Sequence, residues 1–318
     1  MGRRTLVGAS MILLGIAAVP AAGAQQTAAP PSARGRDNSP QELRLWEGSA
    51  PGALGNTDED IPTLTFQRAR RDASRTGVVV APGGGYGALA MDHEGRQIAA
   101  YFNAMGISAF VLKYRLGPKY RHPIPLWDAQ RAVRLVRARA KEFGIEPGRI
   151  GMMGFSAGGH LTATVGTHFD SGKPDAPDEI ERASNRPDFL ILGYPVISFD
   201  EAITHRGSLR NLLGPTPEPT LVEDLSSERR VTPRTPPTFL FHTNADTGVV
   251  PENSVRFYMA LRQAKVPAEL HIFENGPHGV GLALGDPALS VWPTLLTNWL
   301  RGRGLVHPPP PPPPAAAR

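Results

Sequence analysis

Between residues 77 and 301 short apolar runs alternate with stretches of helical periodicity, and this alternation leaves few architectures open. The runs are Gly77-Val78-Val79-Val80-Ala81, Ser108-Ala109-Phe110-Val111-Leu112-Lys113, Ile150-Gly151-Met152-Met153, Asp188-Phe189-Leu190-Ile191-Leu192-Gly193, Thr238-Phe239-Leu240-Phe241-His242 and Ala268-Glu269-Leu270-His271-Ile272-Phe273. Residues 94–105, 126–143, 161–165, 252–264 and 289–301 read as helices, the second with Ala129, Ala132, Val133, Leu135 and Val136 on one face. Short apolar strands joined by helices run parallel, because a helical crossover returns the chain to the same end of the sheet. Residues 43–46 and 63–66 are candidates for antiparallel strands at the start. The expected class is α/β, a mostly parallel central sheet flanked by helices. Ligands of such sheets bind beyond the carboxyl ends of the strands.

At one of those ends stands Gly154-Phe155-Ser156-Ala157-Gly158-Gly159-His160. A serine between glycines two before and two after it, on a strand-to-helix turn, is lifted out of the sheet with its hydroxyl exposed. The helix N-terminus beneath it favours negative charge developing on a substrate oxygen.

A serine hydroxyl is a weak nucleophile until a base takes its proton. His278, in Asn275-Gly276-Pro277-His278-Gly279, follows the last strand on a glycine-rich loop with little core role available to it. It is the expected base. His160 belongs on the flank of the helix as a packing or supporting histidine, and His242 and His271, inside strands, are expected to be structural. The imidazole needs an acid to set its tautomer. Asp246 follows the preceding strand and gives the chain order Ser156, Asp246, His278, the order of the α/β-hydrolase fold. Asp200, one strand earlier, is its rival. For the oxyanion hole, Ala157 offers the N–H next to the nucleophile, and Gly83-Gly84-Gly85 offers backbone that can approach a substrate closely. The lysine and spacing of a phosphate loop are missing there, and no His/Asp/Glu pair shows metal-ligand spacing on a helix. Neither a metal nor a cofactor is expected.

The ends of the chain differ from this body. Arg3 and Arg4, the apolar stretch 11–19 and Ala22-Gly23-Ala24 form an export-signal pattern over residues 1–24, with an apolar core too short for stable membrane insertion. Residues 25–40 are rich in Ala, Pro, Ser and Gln and read as a linker. Residues 41–304 form the expected domain, and 305–318 a Pro/Ala-rich tail. A periplasmic or secreted location follows from the signal. Its removal takes Arg3 and Arg4 and lowers the formal charge from +5 to +3, with no dense basic block of the nucleic-acid type. Arg131, Arg134, Arg137 and Arg139 are expected to form a solvated helix face. The chain has 0 cysteines, which excludes disulfides and thiolate chemistry.

The chain resembles the acetylxylan and feruloyl esterase-like group of α/β-hydrolases across about residues 43–300. The resemblance rests on Pro82-Gly83-Gly84-Gly85-Tyr86, Glu94-Gly95, Lys113-Tyr114-Arg115-Leu116, Asp128-Ala129-Gln130-Arg131-Ala132-Val133, Gly154 to His160, Tyr194-Pro195-Val196-Ile197, Pro251-Glu252-Asn253-Ser254 and Gly276-Pro277-His278-Gly279-Val280-Gly281-Leu282. It implies Ser156 as nucleophile, Asp246 as acid, His278 as base, and Gly84, Gly85 and Ala157 as the oxyanion hole. Asn244-Ala245 stands where such esterases often carry more acid, and Pro251 falls one position late. Arg115 and Asp128 are expected to form a structural ion pair, and Glu94, near the glycine loop, either to stand behind the site or to touch substrate.

The implied reaction is ester hydrolysis through an acyl-enzyme, with activity rising with pH as the histidine becomes neutral. The insertion 194–238 is rich in charge and proline and lacks the apolar face of a lipid-opening lid, which favours a small polar or polysaccharide-linked ester. Two other classes compete. A prolyl-oligopeptidase-type peptidase shares the triad order but carries a large extra domain, for which a body of roughly 265 residues leaves no room. A non-catalytic hydrolase-like binding protein would have lost a triad residue, and none is lost.

Overall fold

The computed structural model describes residues 1–2, 39–69 and 73–307. The signal from residue 3 to 24, the linker up to residue 38 and the polyproline stretch from residue 308 therefore lie outside the described residues. Everything below concerns Ser39 onward.

The strands are β1 (Gln41–Arg44), β2 (Thr63–Gln67), β3 (Gly77–Ala81), β4 (Ser108–Lys113), β5 (Ile150–Phe155), β6 (Phe189–Gly193), β7 (Thr238–Thr243) and β8 (Ala268–Phe273). They make one sheet in the order β1-β2-β4-β3-β5-β6-β7-β8. β1 and β2, and β2 and β4, pair antiparallel; every pair from β4 through β8 is parallel. The helices are α1 (Gln97–Ala104), α2 (Ile124–Ala138), α3 (Ala140–Phe143), α4 (Ser156–Thr167), α5 (Glu179–Arg182), α6 (Arg206–Leu213), α7 (Pro219–Asp224), α8 (Glu252–Gln263) and α9 (Trp292–Gly302). This is the mostly parallel, helix-flanked α/β sheet expected from the alternation. Among the described residues, no helix is long and apolar enough to cross a membrane.

Period-two alternation decides what each strand residue meets. Val79 and Ala81 of β3 join the core formed with Ala129, Val133 and Val136 of α2 and Leu161 and Val165 of α4. Val78 and Val80 join the opposite core, with Ile98 and Phe102 of α1 and Trp292, Leu296 and Leu300 of α9. Both faces of β3 are covered, so all five of its residues are buried. Further along the sheet, Phe257 and Leu261 of α8 close over Leu192 and Leu240.

The structure departs from the sequence reading in four places outside the site. The helix expected over residues 126–143 is α2 and a single further turn, α3, parted at Arg139 (φ −99°, ψ 20°). The helix expected from residue 94 begins as a π-turn, Asp92–Arg96, which turns Glu94 inward. Arg131 and Arg134 are not solvated but buried. The excursion after α4 folds back over α2 and brings acids that sequence spacing cannot show: Arg131 pairs with Asp178 (2.6 Å) and Glu181 (2.9 Å), and Arg134 with Asp170 (2.6 Å). Finally, the ordered domain does not end at residue 304, because Leu305 and Val306 are buried in the core beside Trp299 and Leu300.

Candidate active site

The chain leaves β3 for β4 on one side and enters β5 on the other, so a crevice opens between the carboxyl ends of β3 and β5. Register sets what meets there. Ala81 is level with Gly154, which brings Pro82 and Gly83 alongside Phe155 and Ser156. Ser156 takes φ +52° immediately after extended Phe155. That left-handed conformation is costly for a side chain and holds the serine at the apex of the turn. Close approach explains both flanking glycines. A Cβ on Gly154 would strike the Gly158 carbonyl, and one on Gly158 would strike the carbonyls of Ala81 and Pro82.

Ser156 Oγ lies 2.8 Å from His278 Nε2, and His278 Nδ1 lies 2.7 Å from Asp246 Oδ2. Asp246 Oδ1 accepts the N–H groups of Gly248 and Val249, both at 2.9 Å. Burial opposes the Asp246 charge, but bonds from His242, His278 and Val249 outweigh it and hold the carboxyl well below the usual carboxylate range. An ionised Asp246 can only accept, so it sets the proton on His278 Nδ1 and leaves Nε2 free to take the serine proton. Asp200 is not brought to the histidine; it pairs with Arg256 at 2.9 Å.

The glycine loop passes against the nucleophile: a Cβ on Gly83 would sit 2.9 Å from Ser156 Cβ. The Gly83 N–H is taken by Glu94 Oε2 at 2.7 Å. Gly84, Gly85 and Ala157 have N–H groups with no acceptor among the described residues. Ala157 stands in the first turn of α4, where backbone N–H groups have no helical partner. These unpaired N–H groups lie on the glycine loop and next to the nucleophile, the two segments that flank the serine hydroxyl.

Several supporting residues were beyond the reach of sequence reasoning. Tyr194, at φ +35° after β6, donates its hydroxyl to Glu94 Oε1 (2.7 Å) and accepts the Gly281 N–H (2.9 Å). Its ring packs edge-on against His278, centroids 5.0 Å apart. Glu94 thus ties the glycine loop to the histidine loop. Buried His160 accepts the Tyr86 hydroxyl on Nδ1 and donates Nε2–H to the Leu225 carbonyl, both at 2.8 Å. This is the supporting role expected of it. His242 does more than fill a strand: its Nε2 lies 2.8 Å from the Val249 carbonyl and 3.4 Å from Asp246 Oδ2. The Arg115–Asp128 pair is fully buried at 2.6 Å. The insertion 194–238 also has an apolar face, but Leu212 and Leu225 are buried and Leu209, Leu213, Leu221 and Val222 pack on the core. Its charged side faces water.

Fold and constellation together define an α/β-hydrolase with an esterase-type site. The chain belongs to the BD-FAE family, which matches residues 66–261. It is 38% identical over 235 residues to endo-1,4-beta-xylanase B of Butyrivibrio fibrisolvens, across 73% of this chain and 36% of that protein. It is 38% identical over 228 residues to an acetylxylan esterase of Xylanibacter ruminicola, across 70% of this chain and 45% of that one. The chain therefore spans less than half the length of these curated relatives. Among solved structures, the acetyl ester-xyloside bifunctional hydrolase from Caldicellulosiruptor lactoaceticus superposes with a TM-score of 0.79 at 45% identity, over 84% of this chain and 97% of that one.

Proposed function

We propose that this chain is an exported serine esterase that removes short acyl groups, acetyl foremost, from carbohydrates. The observation that carries the reading is the unbroken relay from Ser156 Oγ through His278 to Asp246, at 2.8 and 2.7 Å, next to free N–H groups. Ser156 attacks the ester carbonyl as His278 Nε2 takes its proton. The N–H groups of Gly84, Gly85 and Ala157 receive the oxyanion. His278 returns the proton to the leaving alcohol, and water, activated by the same nitrogen, then releases the acid. The names of the relatives support acetyl esters of xylan as the substrate class. Export rests on the pattern of residues 1–24 and agrees with a polymer substrate outside the cytoplasm.

The test is acetate release from acetylated xylan by residues 25–318 beside the Ser156→Ala variant. Release by the wild type, with turnover down by roughly 10³-fold or more in the variant, is the expected result. Cleavage of aryl acetates without xylan deacetylation would discard the carbohydrate substrate and keep the serine chemistry. Full activity in Ser156→Ala would remove the nucleophile assignment. Recovery of mature protein beginning at Gln25 from the periplasm or medium checks export.

A further inference from the structure

Helix α6 presents its first turn to the glycine loop, and His205 caps it. The Ser208 N–H lies 3.2 Å from His205 Nδ1 and the Ser208 hydroxyl 2.8 Å from the same nitrogen. A backbone N–H can only donate, so Nδ1 is an acceptor and the proton of the neutral ring sits on Nε2. That Nε2–H has no acceptor among the described residues, and the ring is only partly buried. The ring faces the site: its Cε1 is 3.7 Å from where a Cβ on Gly85 would stand. Nor can α6 drift, because Asn211 donates its side-chain amide to the Gly85 carbonyl at 2.8 Å. Partial burial lowers the His205 pKa, with the nearby His278 adding to the effect. The ring is therefore a fixed, neutral donor beside the glycine loop. Such a donor suits a neutral oxygen, a hydroxyl or ring ether, and gives no charge with which to select a carboxylate.

We propose that His205 is a substrate-binding residue whose Nε2–H donates to an oxygen of the sugar carrying the scissile ester. The proposal rests on the carbohydrate-ester reading above and adds the residue that senses the sugar. Aryl acetates offer no such oxygen, so the two substrates separate binding by His205 from the ester chemistry.

The experiment compares wild type, His205→Asn and His205→Ala on acetylated xylan and on 4-nitrophenyl acetate, with melting temperatures alongside. Asparagine is a strong helix cap but ends too short to reach the sugar, so it keeps the α6 cap and removes the ring donor. Expected for His205→Asn is an unchanged melting temperature, a loss of about tenfold in kcat/KM on xylan, the worth of one hydrogen bond, and little change on the aryl ester. His205→Ala should show the same split with a lower melting temperature. Wild-type activity of His205→Asn on xylan overturns the proposal, as does an equal loss on both esters, which would make His205 a support for the glycine loop. If wild type itself leaves xylan untouched while cleaving the aryl ester, the carbohydrate reading fails and this proposal with it.

Discussion

Two carboxylates are buried in the site, Asp246 and Glu94, each about 3% exposed. Asp246 accepts two backbone N–H groups and faces two imidazoles, so its charge is coupled to a group that can change protonation. Glu94 accepts a backbone N–H from Gly83 and a hydroxyl from Tyr194 at 2.7 Å, neither of which titrates near neutrality, while the half-exposed His93 imidazole stands off at 3.8 Å without a hydrogen bond. The same side-chain chemistry thus serves two ends. On the Asp246 side the carboxylate sets where a proton sits; on the Glu94 side it sets where two loops sit. What separates a reacting acid from a structural one here is the partner rather than the burial.

Exchanging each carboxylate for its amide puts that contrast at risk. The largest effect belongs to Asp246→Asn. Its carbonyl oxygen would keep the Gly248 and Val249 bonds, and its NH₂ would turn toward His278 and donate to Nδ1. The ring proton would move to Nε2, which could then no longer accept from Ser156. Single-turnover kinetics on an aryl acetate should show kcat lower by about 10³–10⁴ with the fold intact. A loss under tenfold would mean that His278 does not depend on Asp246 for its tautomer.

Glu94→Gln should behave differently. Tyr194 already accepts from Gly281, so its proton needs the acceptor that Glu94 provides, and Gly83 N–H needs the other oxygen. An amide has one oxygen for two donors and leaves one buried donor facing another. Stability should fall by about 1–3 kcal/mol, and kcat by roughly tenfold, short of the cost of losing an oxyanion donor outright. Chemical denaturation and kcat measured together decide it. A loss of activity as deep as that of Asp246→Asn, with stability unchanged, would make Glu94 a reacting group instead.

The contrast also explains which parts of the site can be read from the sequence. Ser156 and Asp246 each follow a strand of strong apolar character and His278 a mixed, half-buried one, and parallel topology alone carries all three strand ends to one edge of the sheet. Glu94 stands out through its nearness to the glycine loop. Tyr194, His242 and His205 carry no such mark. Tyr194 meets Glu94 across 100 residues of chain, and only the β6 register and its left-handed backbone aim it there. His242 resembles any strand residue until the β7 loop turns Asp246 back over it. His205 lies in an insertion whose charge suggests a solvated lid, and only the packing of α6 reveals that its first turn faces the glycine loop. Arg131 and Arg134 mislead for the same reason, since their acids arrive from 36 to 50 residues away. Local periodicity reports which face is apolar, and it is silent on which polar groups a distant segment will cover.

The subtlest test concerns the glycine loop's other anchor, the Tyr86–His160–Leu225 chain. Burial pushes the His160 pKa down to about 4 from an ordinary 6.5, even though the Leu225 carbonyl favours its charged form. The folded protein therefore binds fewer protons here than the unfolded chain between those two values. The stabilisation is complete above about pH 6.5 and is lost progressively as pH falls toward 4. From pH 7 to pH 5 this one site should cost about 2 kcal/mol of unfolding free energy. Asp246, with its lowered pKa, keeps its full stabilisation above the ordinary carboxylate value and loses it only as pH falls through and below that value, so its window lies beneath that of His160. Glutamine can accept from Tyr86 and donate to Leu225 without titrating, so His160→Gln should flatten the pH dependence while changing kcat at pH 7 by only about two- to threefold. Urea unfolding at pH 7, 6 and 5 on both proteins gives the comparison. Equal slopes would show that His160 takes up its proton without cost, and that this half of the site is open to charge after all.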